Sequence, residues 1–585
     1  MKKNDIVRLE IEDLNNLGFG VARIDGKAVF VSGAVTGDTV EAQLIKVNAS
    51  YAVAIVKKLL VRSSLRTEGR CPYPACTACA YKNIEYAHEL KTKQGNVRAS
   101  FRKAGLSEIE VLPVLSTGQT CGYRNKAQYP IGKDAKGNFV FGFYAPKSHT
   151  VKEAAACPLQ PAIFAEILEL LRVFFKENDL SVYDEKTGKG LLRHIYLRRA
   201  EKNGEVLLTL VINGSGLPFE EAFVSRVCAA FPSVVGILIN ENREDTNVIL
   251  SDTYRTLWGQ NYMTDELSGV TLRIAPSAFY QVNHDGAELL YGEAKALAGL
   301  RKTDLLLDLY CGTGAIGLSM AKDVREVIGI EIVADAIECA KQNAALSGIE
   351  NASFFVGDAA DAEKILENAE KARGEAIRPD VIVLDPPRKG CDAKLLSFVA
   401  SLSPRTIVYV SCGPDTLARD VAILAPLGYT TDKVQPVDMF PGTGHVENVV
   451  CLSRKTMHEM KLHASPFEMI KSGAKNIELR LFDEKRQKIK TGDDIIFTNT
   501  VNGEKMCATV KTLHRFDSFE ELYKTLPLLQ CGYTAEDVDA AHPSDMEQYY
   551  SEEEQKNYGV VGIELFPPKR ITDESVVCLT RGLDN

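Results

Sequence analysis

The segment "LLLDLYCGTGAIGL" constrains this chain more than any other: an apolar strand, a glycine-rich turn and the start of a helix in immediate succession. A short apolar run closed by Gly-x-Gly reads as a strand entering a tight turn. From about residue 286 to 455 the same alternation repeats. "EVIGIEI", "ASFFVGD", "DVIVLDPP", "TIVYVSC" and "ENVVCLSR" are apolar strands, with helical segments between most of them. This pattern predicts a doubly wound, mostly parallel α/β sheet. Ligands of such sheets bind at the carboxyl ends of the strands, so the residues just after each apolar run are the candidates for chemistry.

Gly312, Gly314 and Gly317 form G-x-G-x-x-G, which lets a ligand approach the backbone and lets the helix pack on the strand. Taken alone, it fits an NAD-dependent oxidoreductase as well. Glu331, at the end of the next strand, can accept the ribose hydroxyls of a bound nucleoside. Asp358, after the third, can take an adenine amino group. The fingerprint lies deep in the chain rather than in an N-terminal βαβ unit, and Asp308 stands before the glycines. "DLYCGTG" resembles the first motif of class I S-adenosylmethionine-dependent methyltransferases, which implies that Asp308 positions the loop or the methionine end.

"VIVLDPPRKG" and "TIVYVSCGP" place Asp385 and Cys412 at the same edge. Carbon 5 of uracil is a poor nucleophile. A thiolate added to carbon 6 turns the ring into an enolate that can attack a methyl sulfonium; a base then removes the proton from carbon 5 and the thiolate leaves. Cys412 is the candidate nucleophile, Glu447 in "GHVENVVCL" the candidate base, and Asp385 a hydrogen-bond partner for the uracil edge. An oxidoreductase gives no reason for "VSCGP" paired with "HVENVV".

"FYQVN", "DLYCGTG", "LDPPRKG", "YVSC" and "HVENVV", in this order, resemble the RNA uracil-5 methyltransferase family over about residues 1 to 455. The resemblance implies that Cys412 is the nucleophile and Glu447 the base. It places Gln281, Tyr310, Glu331 and Asp385 at or beside the cofactor, with Phe279 near the target base; Gly312, Gly314 and Asp358 join them from the reading of the glycine turn and strand ends. Gly413 departs from the family, which usually carries Asn there. S-adenosylmethionine is the implied cofactor.

Residues 1–62 read as short strands separated by Gly and Asp, a small β-barrel. "LNNLGFGVARIDGKAVFVSGAVTGDTVEA" resembles a TRAM domain, which implies RNA binding. The net charge of −9 argues against nucleic acid, but residues 1–130 hold 19 Lys+Arg against 12 Asp+Glu. RNA needs a basic face, not a basic whole. Residues 63–285 are expected to hold a cysteine knot, a basic helix over 84–104 and a mixed RNA-binding region. Arg124, with Asn125 and Lys126, is assigned to the RNA surface and the substrate. Among 14 cysteines, Cys71, Cys76 and Cys79 form C-x4-C-x2-C, and Cys157 follows far downstream. Four thiolates suit a 4Fe–4S cluster or zinc equally. Ribosomal RNA members of the resembling family carry the cluster on a similar knot, though with a first spacing one residue longer and Gly-Gly where Thr77-Ala78 stand here. Cys121 is read as core packing.

After Arg454 the character changes. Residues 457–570, with "MKLHASPFEMIKSGAKNIELRL", resemble an ASCH domain, a PUA-type β-barrel whose cleft Lys475, Glu478 and Arg480 would line. The first residues carry charge and no apolar core segment, and no stretch of about 18 apolar residues exists, so a cytoplasmic chain without a membrane span is expected. The whole reads as a Rossmann-like methyltransferase sheet with a β-barrel at each end. It is expected to be a monomer acting on RNA, with large-subunit ribosomal RNA favoured and transfer RNA as runner-up.

Overall fold

The computed structural model describes residues 1–570 apart from Arg70, Ala75, Pro146, Lys147 and Thr246. The anticipated parallel sheet forms from β2 (Leu305–Leu309), β3 (Glu326–Glu331), β4 (Ala352–Val356), β5 (Val381–Leu384), β6 (Thr406–Ser411), β7 (Lys433–Val437) and β8 (Glu447–Arg454). Its order is β4-β3-β2-β5-β6-β8-β7, and β7 pairs in turn with a two-residue strand, β1 (Glu110–Val111). The pairs β2–β3, β2–β5, β3–β4 and β5–β6 are parallel, whereas β7 and β8 run antiparallel. Strands β2 and β5 are buried along their whole length, as strands covered on both faces must be. A helix expected in the middle region, α1 (Tyr86–Lys103), packs on α2 (Pro414–Leu424) of this sheet. Residues 84–111 therefore belong structurally to the catalytic layer.

The middle of the chain builds a second sheet of seven strands, from Val151–Glu153 at one edge to Tyr254–Gly259 at the other. The helices Ala162–Glu177 and Glu220–Ala230 share its apolar core. A hairpin, Met263–Leu267 with Val270–Ile274, turns at Ser268 and Gly269, both at positive φ, the backbone that two-residue hairpin loops require. The hairpin docks on helix Ala334–Leu346, where Asn343 Oδ1 accepts from Arg273 N at 2.8 Å.

At the N-terminus six strands span Ile6 to Val61 around a core of small apolar residues that includes Val29, Val31, Val40, Ala42, Ala52 and Ala54. Register shifts along Thr39–Val47 supply the bulges that curve a sheet toward a barrel. Its 15–18 loop packs directly on its neighbours: a Cβ at Gly18 would lie 2.3 Å from Ala80 O, and one at Gly444 would lie 1.6 Å from Asn16 O. No side chain fits at either place. Leu14 and Val35 of the barrel also share a small core with Tyr81 and Ile84.

Two compact units divide the chain: residues 1–427 with 433–452, and residues 428–432 with 453 onward. The second contains the sheet ordered Met457–Leu462, Asp494–Asn499, Lys505–Phe516, Val560–Leu565, Ile477–Leu481, with apolar clusters of its own. Among the described residues no helix is long and apolar enough to cross a membrane.

Candidate active site

The turn after β2 is under backbone strain. Tyr310, Gly312 and Gly314 have φ of 65°, 54° and 82°. Glycine tolerates this region, whereas a bulky aromatic is held there only by its surroundings. Asp308 lies beneath the turn, where Oδ2 accepts from Gly317 N at 2.9 Å. Its Oδ1 is buried with no hydrogen-bond partner among the described residues. Burial pushes this carboxyl up to about 8. Gly314 is also structural: a Cβ there would meet Leu318, Ala340 and Phe354 at 3.1–3.2 Å.

Above the turn opens a cavity of about 1560 Å³ whose walls include Phe279, Gln281, Tyr310, Gly312, Glu331, Asp358, Asp385, Cys412 and Glu447. The chain thus brings together most residues singled out from sequence. Asp308 and Gly314 support the wall from behind. Glu331 accepts from Gly312 N at 3.2 Å and from Val333 N at 2.9 Å, so the carboxylate is fixed at the end of β3. Asp358 Oδ1 accepts from Ala360 N at 2.9 Å, which fixes it after β4. Two anchored acids, an uncapped buried carboxylate oxygen and a forced turn fit a cationic nucleoside such as S-adenosylmethionine. The Phe279 ring is 64% exposed and free to stack.

Cys412 follows β6 and Glu447 begins β8, the neighbouring strand. Fully buried Asn448 ties the two ends, its Nδ2 donating to Ser411 O at 3.2 Å. The 385–391 loop is held by Asp420, which accepts from Cys391 N at 2.8 Å and Tyr409 OH at 2.6 Å. Thr416 Oγ1 donates to Gly413 O at 3.0 Å. A Cβ at Gly413 would lie 2.7 Å from that hydroxyl, so the family's Asn would require Thr416 to turn away.

Burial, and then the nearby Asp385, push Glu447 up to about 8, against the pull of Arg388. Burial alone pushes Asp385 up to about 7. Cys412 is raised by burial and by Glu447, again against Arg388. Arg388 and Asn448 are the residues that sequence reasoning missed. Both lay inside quoted motifs: an arginine in "DPPRKG", and a polar residue within an apolar strand.

Cys71, Cys76, Cys79 and Cys157 line a second cavity of about 370 Å³, together with Lys82, Arg124 and Lys126. Burial and then the other three thiols push Cys79 up to about 12. Two expectations need correction here. Cys121 is exposed and borders this cavity, so it is not core packing. Asn125 is buried, not on an RNA surface, and its Nδ2 donates to Gln281 O at 2.8 Å. Arg124 borders the thiol cavity, and its backbone N–H donates to Leu159 O, two residues from Cys157, at 2.9 Å.

In the second unit Lys475 Nζ lies 2.9 Å from Glu478 Oε2, and Arg480 Nη2 lies 2.8 Å from Glu478 Oε1. Lys475 and Glu478 are buried, so the trio forms a largely buried ion cluster.

A mostly parallel sheet of this strand order, with anchored acids after β3 and β4, defines a class I S-adenosylmethionine-dependent methyltransferase. The family model for tRNA (uracil-5-)-methyltransferase matches residues 246–455, the TRAM domain residues 2–57 and the ASCH domain residues 460–569. An uncharacterized RNA methyltransferase of Clostridium acetobutylicum is 40% identical over 458 residues, covering 78% of this chain and 98% of the relative. Another, from Halalkalibacterium halodurans, is 37% identical over 457 residues, with the same shares of 78% and 98%. The crystal structure of Pyrococcus abyssi tRNA (uracil-54, C5)-methyltransferase with S-adenosyl-L-homocysteine is 26% identical, with a TM-score of 0.61, over 76% of this chain and all of that one. The chain belongs to the RNA (uracil-5-)-methyltransferase family, and it carries TRAM and ASCH domains. This sets aside the oxidoreductase reading of the same glycines.

Proposed function

We propose that this RNA methyltransferase forms 5-methyluridine in large-subunit ribosomal RNA, with Cys412 as nucleophile and Glu447 as base. The observation that carries the reading is the pairing of these two side chains on adjacent strand ends, inside the cavity that the cofactor acids line. The Cys412 thiolate forms a bond to carbon 6 of uracil, and the ring electrons move to carbon 5 as an enolate. S-adenosylmethionine supplies the methyl group that carbon 5 takes. Glu447 then accepts the proton from carbon 5, the 5,6 double bond reforms, and the carbon–sulfur bond breaks to return the thiolate. A base near pH 8 is matched to that task. Asp385 hydrogen-bonds the uracil edge, and Arg388 draws both reacting groups toward their charged forms.

The thiol cavity suits a 4Fe–4S cluster. Lys82, Arg124 and Lys126 have no ion-pair partner among the described residues and would balance its negative charge. Thiolates on one zinc stand about 3.8 Å apart, given Zn–S bonds of about 2.3 Å. Among the described residues no three metal-binding side chains are arranged around a single ion. Four thiols on one cavity supply the ligand number of a cubane, each iron taking one, as they do of a four-thiolate zinc site. Cys71, Cys76, Cys79 and Cys157 would hold it, tying the knot to the middle sheet.

Transfer RNA is the second reading, favoured by the match to the Pyrococcus abyssi enzyme. Mapping 5-methyluridine in ribosomal and transfer RNA from cells with and without the gene decides. Loss from large-subunit RNA supports the proposal. Loss confined to transfer RNA selects the second reading, and loss from neither overturns both.

A further inference from the structure

The segment Asp438–His445 leads straight into Glu447, and Phe440 and His445 line the catalytic cavity beside it. What holds this segment comes from far away in the chain. Lys93, on α1, is fully buried. Its ammonium sits 2.7 Å from Asp438 Oδ1 and 2.7 Å from Glu89 Oε1, and it donates to Phe440 O at 3.1 Å. An ammonium has three protons, and here it meets three acceptors. The two carboxylates hold the same segment from the other side. Asp438 Oδ1 accepts from Phe440 N at 3.0 Å, and Glu89 Oε1 accepts from Gly442 N at 2.7 Å. Tyr86, also on α1, donates to Asp438 Oδ2 at 2.8 Å. The approach to the base is thus wrapped around one buried cation.

A helix could be packed on a sheet with apolar residues alone, and replacing a buried ion group by such packing is often neutral or stabilising. A charged cluster fixes geometry where apolar contacts would allow sliding, because each acceptor is satisfied at one separation. We propose that Lys93 is a positioning residue for proton removal: it sets the 438–442 segment, and through it Glu447, against carbon 5 of the target uridine. The inference rests on Glu447 as the base. Lys93 touches neither substrate nor cofactor, so it acts by geometry alone.

Proton removal can be separated from the earlier steps. RNA bearing 5-fluorouridine traps the enzyme after carbon–sulfur bond formation and methyl transfer, because fluorine does not leave as a proton does. Lys93→Met should trap this RNA at the wild-type rate. On ordinary RNA it should accumulate a covalent protein–RNA adduct, with turnover reduced by about a hundredfold, the scale of a 1 Å misplacement, and KM falling in parallel because the steps up to methyl transfer are untouched. Glu89→Ala, which frees Gly442 N, should behave likewise. Glu89→Gln, which keeps an acceptor there, should recover turnover relative to Glu89→Ala. These two variants also carry the test if Lys93→Met does not fold. A parallel fall in trapping and turnover, no change in either, or equal activity of Glu89→Gln and Glu89→Ala would each overturn the proposal. Glu447→Gln is the control. If it accumulates no adduct, the base assignment fails; if it does and the Lys93 and Glu89 variants do not, only the positioning role fails.

Discussion

The two cavities of the first unit differ in the charge that lines them. The larger holds the anchored carboxylates Glu331 and Asp358, while burial holds Asp308, Asp385 and Glu447 back from ionising, and Arg273, Arg388, Lys389 and Arg419 are the bases on its wall. The smaller gathers Lys82, Arg124 and Lys126, with Glu89, around four thiols. A sulfonium is a cation, and a four-thiolate iron cluster is an anion. The anchored carboxylates suit the first group, and the bases around the thiols suit the second. The difference teaches that the charge of a bound group can be read from the partners left facing a cavity, since buried charge is tolerated only when it is matched.

The comparison breaks first at Cys412. Cys412→Ala should abolish turnover and trapping by 5-fluorouridine RNA together, a loss of at least about a thousandfold for a covalent catalyst. More than a few per cent of wild-type methylation would exclude the thiolate mechanism.

Removing the second unit should leave both cavities intact. A chain ending near Lys455 keeps the last sheet strand, Glu447–Arg454. It should bind S-adenosylmethionine with nearly unchanged affinity. Its KM for long RNA should rise by up to about a hundredfold, the gain that a tethered second binding module can give. Turnover on a saturating short RNA should hold. A collapse there would place the module within the active site.

Arg388 tests the wall of the larger cavity. Its positive charge lowers the pKa of both Glu447 and Cys412, so Arg388→Met should raise both. Both groups act deprotonated, and Glu447 acts only after methyl transfer, so turnover at saturating RNA should climb with pH through about 8 in the parent enzyme. The climb should move to higher pH in the variant, with lower turnover at neutral pH. A profile that falls or stays flat between pH 7 and 9 would contradict the assignment of the base.

The smaller cavity is tested by colour and stability. Anaerobically purified protein should be brown, with about four irons per chain if all four thiolates ligate one cluster. Cys76→Ser should bleach it and lower Tm by several degrees, because bound metal contributes folding free energy. Stoichiometric zinc without iron would reverse the assignment.

Much of the catalytic sheet was legible because strands buried on both faces are apolar throughout, and Asp385, Cys412 and Glu447 follow or begin such runs. The strand Glu110–Val111 was not legible. Two residues carry no periodicity, and parallel pairing with Lys433–Val437 recruits them. The basic "GYRNKAQ" looked like an RNA surface because sequence shows charge but not direction. The chain turns Asn125 inward to brace Gln281, and Arg124 borders the thiol cavity. Lys93 was hidden in the same way. On a basic helix nothing marks one lysine as buried until Asp438, 345 residues later, folds against it.

The bare glycines at the edge of the N-terminal barrel bear on how such chains can be recombined. Gly18 and Gly444 each meet foreign backbone where a side chain would stand, and Leu14 and Val35 share their core with Tyr81 and Ile84. A transplanted barrel would have to reproduce those backbone contacts atom for atom, or leave that core open to water. The ASCH segment encloses apolar clusters of its own. The N-terminal barrel is instead grown into its host, so an exchange of it has to carry the cysteine loop along with it.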